Sequence, residues 1–157
     1  MTSIQFAQAE DGVAIAYSSI GSGPPMILTH NFGLSHIEQE WNVPSLAAFY
    51  SALASHHRVT RLDPRTSGSS TTDLMPEMTT EAMCRDLVAV ADAAGADRFV
   101  LLAVNTMGPV AIDFAVRHPD RLTHLILCDP DVTVATSRHA RAIKAQAALA
   151  GAEASEL

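Results

Sequence analysis

The chain has 157 residues, 48% of them hydrophobic and 17% charged, with a formal net charge of -7. So much apolar character with so little charge excludes a disordered chain, and the length is that of about one domain with its own core. The excess of 17 acidic over 10 basic residues argues against nucleic acid or an anionic membrane as partner, because phosphate binding needs clustered Lys and Arg.

Ile4 to Ala9 and Val13 to Ser18 read as two strands joined at Glu10-Asp11-Gly12, a hairpin turn. Gly21 to Pro25 breaks the chain before a short buried strand at Met26 to Thr29. His30 to Pro44 reads as a loop. Ser45 to Ala54 is helical, with Leu46, Phe49, Tyr50 and Leu53 as its apolar stripe. Arg58 to Leu62 is a strand, and Asp63 to Glu77 is rich in loop-forming residues. Thr79 caps a helix from Thr80 to about Ala94, ended by Gly95. Arg98 to Val104 is a strongly apolar strand, Thr106 to Arg117 a helix stopped at His118-Pro119, and Arg121 to Cys128 the last strand. An Ala-rich helix from Ser137 to about Ala150 closes the pattern. The alternation predicts an α/β fold with a mostly parallel sheet of about six strands and helices on both faces.

The most informative segment is Phe99 to Ile112: a buried strand, a tight turn, then an amphipathic helix. That is the setting of a nucleophile elbow, G-x-S-x-G. Asp11 to Tyr17 with Gly21 to Pro25, the His30-Asn31-Phe32-Gly33 loop, Asp63-Pro-Arg-Thr-Ser-Gly-Ser-Ser70 and Arg117 to Leu122 extend the match in order and spacing. Up to Asp129 the chain resembles the α/β-hydrolase superfamily. The resemblance implies residues 1–135 as the front portion of such a domain and 136–157 as a helical tail, the start of a lid. It also implies descent from serine hydrolases of esters and similar carbonyl compounds.

The elbow departs from the pattern. Asn105 occupies the serine position, and Ala103 and Met107 replace the flanking glycines. A carboxamide has no proton that a base can remove to make a strong nucleophile. Asn does tolerate left-handed backbone, so the turn can keep its shape. Asn31 and Thr66 likewise stand where the family has glycines. By resemblance, one oxyanion-hole N–H belongs to Thr106 and the other to the loop near Phe32. The candidate ligand-binding set is therefore His30, Asn31, Phe32, Thr106 and Met107. Asp129 follows the last strand, where some members carry the catalytic acid. No histidine follows His139, so the reading expects the acid–histidine half to be missing.

The expected function is a catalytically inactive relative of serine ester hydrolases. A different expectation is a module binding an acyl or carbonyl ligand, or pairing with a second copy through the exposed last strand. The alternative of an active hydrolase rests on Ser67, Ser69 or Ser70, in a loop read as flexible. Asp63 and Arg65 are expected to pin that loop rather than to catalyse. Cys84 and Cys128 are expected to be small buried hydrophobes, too few for a disulfide framework and without metal-site spacing. No cofactor or metal motif, membrane-spanning run or signal peptide is evident, and a cytoplasmic location is expected.

Overall fold

The computed structural model describes residues 3–31, 33–70 and 77–130. In chain order the elements are β1 (Gln5–Gln8), β2 (Ala14–Ile20), β3 (Pro25–Thr29), α1 (Pro44–Ala54), β4 (Arg58–Leu62), α2 (Thr80–Ala93), β5 (Phe99–Val104), α3 (Gly108–Arg117) and β6 (Leu122–Cys128). Short 3-10 turns lie at Gln39–Asn42, Asn105–Met107 and Pro119–Arg121. The expected Ala-rich tail, the boundary at 135 and Phe32 lie outside the described residues.

One six-stranded sheet has the order β1-β2-β4-β3-β5-β6. β1 and β2 form an antiparallel hairpin, and β2 pairs antiparallel with β4. The remaining pairs, β4-β3, β3-β5 and β5-β6, are parallel. The chain leaves β3 through α1 to β4 on one side, and leaves β5 through α3 to β6 on the other. Right-handed crossovers running in opposite directions put their helices on opposite faces. Tyr50 of α1 accordingly packs with Met26, Leu28, Val59, Val100 and Leu102 on one face. Leu87 and Val90 of α2 and Phe114 of α3 pack with Ile27, Leu101 and Ala103 on the other.

The helix signals act as read. Thr79 caps α2 by accepting from the Ala82 N–H at 3.1 Å. Gly95 takes a left-handed φ of 63°, and the Ala96 N–H closes back on the Ala91 carbonyl at 2.8 Å. The α1 stripe is narrower than expected. Leu46, Tyr50 and Leu53 face the sheet, but Phe49 is 39% exposed. It sits about 100° around the helix from Tyr50, past the buried arc. Cys128 also departs from expectation: it is exposed, because β6 pairs with β5 alone among the described residues. Cys84 is buried, and burial, with Asp113 nearby, pushes its thiol up to about 12.

Asp63 to Ser70, directly after β4, are pinned by buried side-chain hydrogen bonds. Arg65 is fully buried, and each of its five N–H donors has an acceptor. It grips Asp86 of α2 bidentately at 2.8 and 2.6 Å, and bonds Asp11 of the hairpin turn at 2.9 Å. The remaining donors reach the carbonyls of Glu77 and Ala82. Asp63, also fully buried, accepts from the Ser35 hydroxyl, the Ile37 N–H and the Ser69 N–H. Gly68 is required beside it, since a Cβ there would collide with the Asp63 carboxylate. Ser70 Oγ accepts from the Ala16 N–H and donates to the Asp63 carbonyl, and Ser67 Oγ accepts from the Gly33 N–H. Replacing Arg65 by Met leaves Asp86 buried without its counter-charge, and urea denaturation should show a loss of about 3–5 kcal/mol. Adding Asp86→Leu should recover much of it; a single-variant loss below about 1 kcal/mol would contradict this account.

Candidate functional site

The direction of the crossovers reverses between β3 and β5. In open α/β sheets the crevice beyond the carboxyl ends of the strands at such a point is where ligands bind. Register pairs Thr29 with Ala103 at the ends of these two strands. The chain therefore delivers His30 and Asn31 from one strand and Asn105 and Thr106 from its neighbour to the same end of the sheet.

Asn105 turns the chain with φ 48°, and its carbonyl accepts from the Gly108 N–H. The elbow thus keeps its left-handed apex without the flanking glycines. Their replacements, Ala103 and Met107, are buried in the core between the sheet, α2 and α3. Met107, in the expected binding set, is 1% exposed and its side chain fills core. Asn105 and Thr106 are half-buried.

On the β3 side, His30 and Asn31 are half-buried. The Asn31 carbonyl accepts from the Leu34 and Ser35 N–H groups, which curls the loop back on itself. Asn31 Oδ1 and the fully buried Thr29 Oγ1 have no hydrogen-bond partner among the described residues. Burial holds the His30 imidazole below its usual value; nearby Glu40 opposes this and Arg61 adds to it. Burial thus favours the neutral imidazole at His30. Asp129 sits at the end of β6, where Val104 pairs with Cys128, and shares the φ of 48° found at Asn105. It is exposed.

Sequence reasoning passed over the cluster that holds this loop from behind. Arg61 is 2% exposed and forms an ion pair with Glu40. Its guanidinium lies 3.7 Å from the Tyr50 ring centre and 5.6 Å from that of Trp41. Burial alone would raise the Glu40 carboxyl, but the Tyr50 hydroxyl at 2.6 Å, the His36 N–H at 3.1 Å and the Arg61 charge hold it below the ordinary value. The signal was Arg61 itself: strand alternation puts it on the same core face as Val59, where a charge needs a partner. His36 and Glu38, near Trp41, sit in this same loop. Among the described residues no group of three or more His, Cys, Asp or Glu is placed to hold a metal ion. No described helix is long and apolar enough to cross a membrane.

Comparison with known proteins agrees with this geometry. The family model for the alpha/beta hydrolase fold matches residues 24–148, and the chain belongs to that family. It is 25% identical over 136 residues to bifunctional epoxide hydrolase 2 of Mus musculus, covering 82% of this chain and 24% of that protein. The chain thus spans about a quarter of the length of that curated relative. Among solved structures, a hydrolase from Pseudomonas aeruginosa PA01 superposes with a TM-score of 0.74 at 26% identity, covering 92% of this chain and 52% of that one. A thermophilic esterase from Thermogutta terrifontis, with malate bound, gives 0.71 at 30% identity over 88% of this chain and 49% of the esterase. The protein is therefore an α/β-hydrolase-fold relative of epoxide hydrolases and esterases.

Two outcomes follow from the site geometry. Asn105→Gly should keep stability within about 0.5 kcal/mol, whereas Asn105→Val should lose about 1–2 kcal/mol, because a β-branched side chain resists left-handed backbone. Equal urea midpoints for the two variants would contradict the strained-apex account. For His30, burial disfavours the imidazolium in the folded state, so below its ordinary value of 6.5 the unfolded chain binds the proton first. Stability should fall as pH drops below that value, and His30→Gln should flatten the fall; parallel melting curves for the two proteins would refute it.

Proposed function

We propose that this chain uses the hydrolase elbow to bind a small acyl or carboxylate ligand and does not hydrolyse it. The observation that carries this reading is Asn105 at the elbow apex, in the left-handed conformation and at the position where the family has its nucleophile. A carboxamide offers two N–H donors and one acceptor there, and no hydroxyl to activate. Neutral His30 and the positive end of the α3 dipole favour an oxyanion or carbonyl oxygen at the same place. The malate held by the related esterase supports a carboxylate as the first ligand to test. The serine alternatives are weaker, because the Ser67 and Ser70 hydroxyls are engaged in tying loops together.

With p-nitrophenyl acetate the purified protein should stay at the rate of a heat-denatured control; turnover well above it would overturn the inactive reading. Malate should raise the melting temperature, and Asn105→Gly, which keeps the backbone and removes the carboxamide, should weaken that binding about tenfold. No malate shift in the unaltered protein, or an equal shift in the variant, would overturn the binding reading.

Self-association through β6 is the second reading. It rests on Leu125 and Ile126, 37% and 40% exposed on a strand that pairs on one side only among the described residues. Light scattering that gives the mass of a single chain at all concentrations would dismiss it.

A further inference from the structure

We propose that the sheet carries a second small-molecule site, away from the elbow, for a one-ring apolar molecule that is neutral or bears an ammonium group. A cavity of about 670 Å³ lies between β2 and the 3-10 turn at Gln39–Asn42. That size falls within the range of pockets that hold small ligands. Ile4, Ile20, Ile37 and Trp41 form its apolar walls, with Ser18 and Glu38 as polar points.

The cavity follows from how the sheet is covered. α1 packs over β3, β4 and β5, and its cover ends near Ile20 on β2. The β1–β2 hairpin extends past that helix. Gln5 pairs with Tyr17, so strand alternation sends Ile4 and Phe6 to the same face as Ser18 and Ile20. Phe6, on that same face, is left 59% exposed.

The aromatic wall is already rigid. The Trp41 ring meets Tyr50 edge-on, with centroids 5.7 Å apart and planes at 73°. Tyr50 is fully buried, stacked under Arg61 and bonded to Glu40. A ligand that packs on Trp41 therefore has little ordering cost to meet on the protein side. Charge decides the ligand class. Glu38 is the one ionisable group among the described residues lining the cavity, and the chain as a whole carries -7. An anionic ring is repelled; an ammonium group at the Glu38 side is not.

Trp41 is the only tryptophan in the chain, so its emission reports on the site directly. Toluene and benzylamine should each change that emission saturably, and benzoate, of the same size and opposite charge, should bind at least tenfold more weakly. Asn105→Gly should keep the benzylamine response, which separates this site from the elbow. Ile20→Glu should abolish it, and so should Ile4→Glu, at a partly exposed position where folding is safe; far-UV circular dichroism checks both. The proposal falls if neither toluene nor benzylamine gives a saturable change. It also falls if benzoate binds as well as benzylamine, or if the response survives in a folded Glu variant.

Discussion

A buried guanidinium carries the architecture around the site. Arg65 lies in the interior with all five donors matched, and its acceptors come from the hairpin turn, the segment at Glu77 and α2. Burial opposes its charge, but the carboxylates of Asp86 and Asp11 outweigh that and hold it firmly protonated. Two residues earlier, Asp63 gathers the loops that follow β3 and β4. One short segment thus fixes both the N-terminal hairpin and the base of the His30 loop. Hydrophobic contacts supply the bulk of the folding free energy, but they do not specify such loop positions; buried, fully matched polar groups do.

Around this frame the elbow separates shape from chemistry. Its apex needs a residue that accepts left-handed backbone, and Asn does so at lower cost than most side chains. Its flanks need close packing, and here Ala103 and Met107 supply it from inside the core. A hydroxyl and a partner base are needed only for covalent catalysis. A chain can therefore retain the turn and the helix that starts after it with a carboxamide at the apex.

Much of this was legible in the sequence where the signal is local. Thr79 and Gly95 bounded α2, Asp11-Gly12 marked the hairpin, and the order of apolar strands and helices defined the sheet. Asn105 was readable as an altered apex because its spacing from the flanking motifs was intact. What escaped depended on pairings distant in the chain. Phe49 obeyed the helical period but fell beyond the arc that the sheet covers. Cys128 was apolar enough for a core yet ended on a strand that pairs on one side only among the described residues. Ser67 and Ser70 belonged to a loop-like composition, and only the fold revealed that their hydroxyls tie it down. The Arg61–Glu40 pair spans 21 residues, and no local pattern links its members. The cavity beside Trp41 depends on where α1 stops covering the sheet, which is a property of packing, not of any one segment.

The same long-range ties have a kinetic meaning. The Ala16–Ser70 and Asp11–Arg65 bonds each join residues 54 apart. The β1–β2 hairpin can form from neighbouring residues, but it can be anchored only after the chain has traversed β3, α1 and β4 and set the loop beyond them. The parallel strand pairs also require a crossover before their first hydrogen bond. Loop-closure entropy must be met before these contacts give anything back, so this topology folds more slowly than a helical bundle of equal length. The N-terminal hairpin can therefore be fixed to the rest of the fold only once β4 and the loop that follows it are in place.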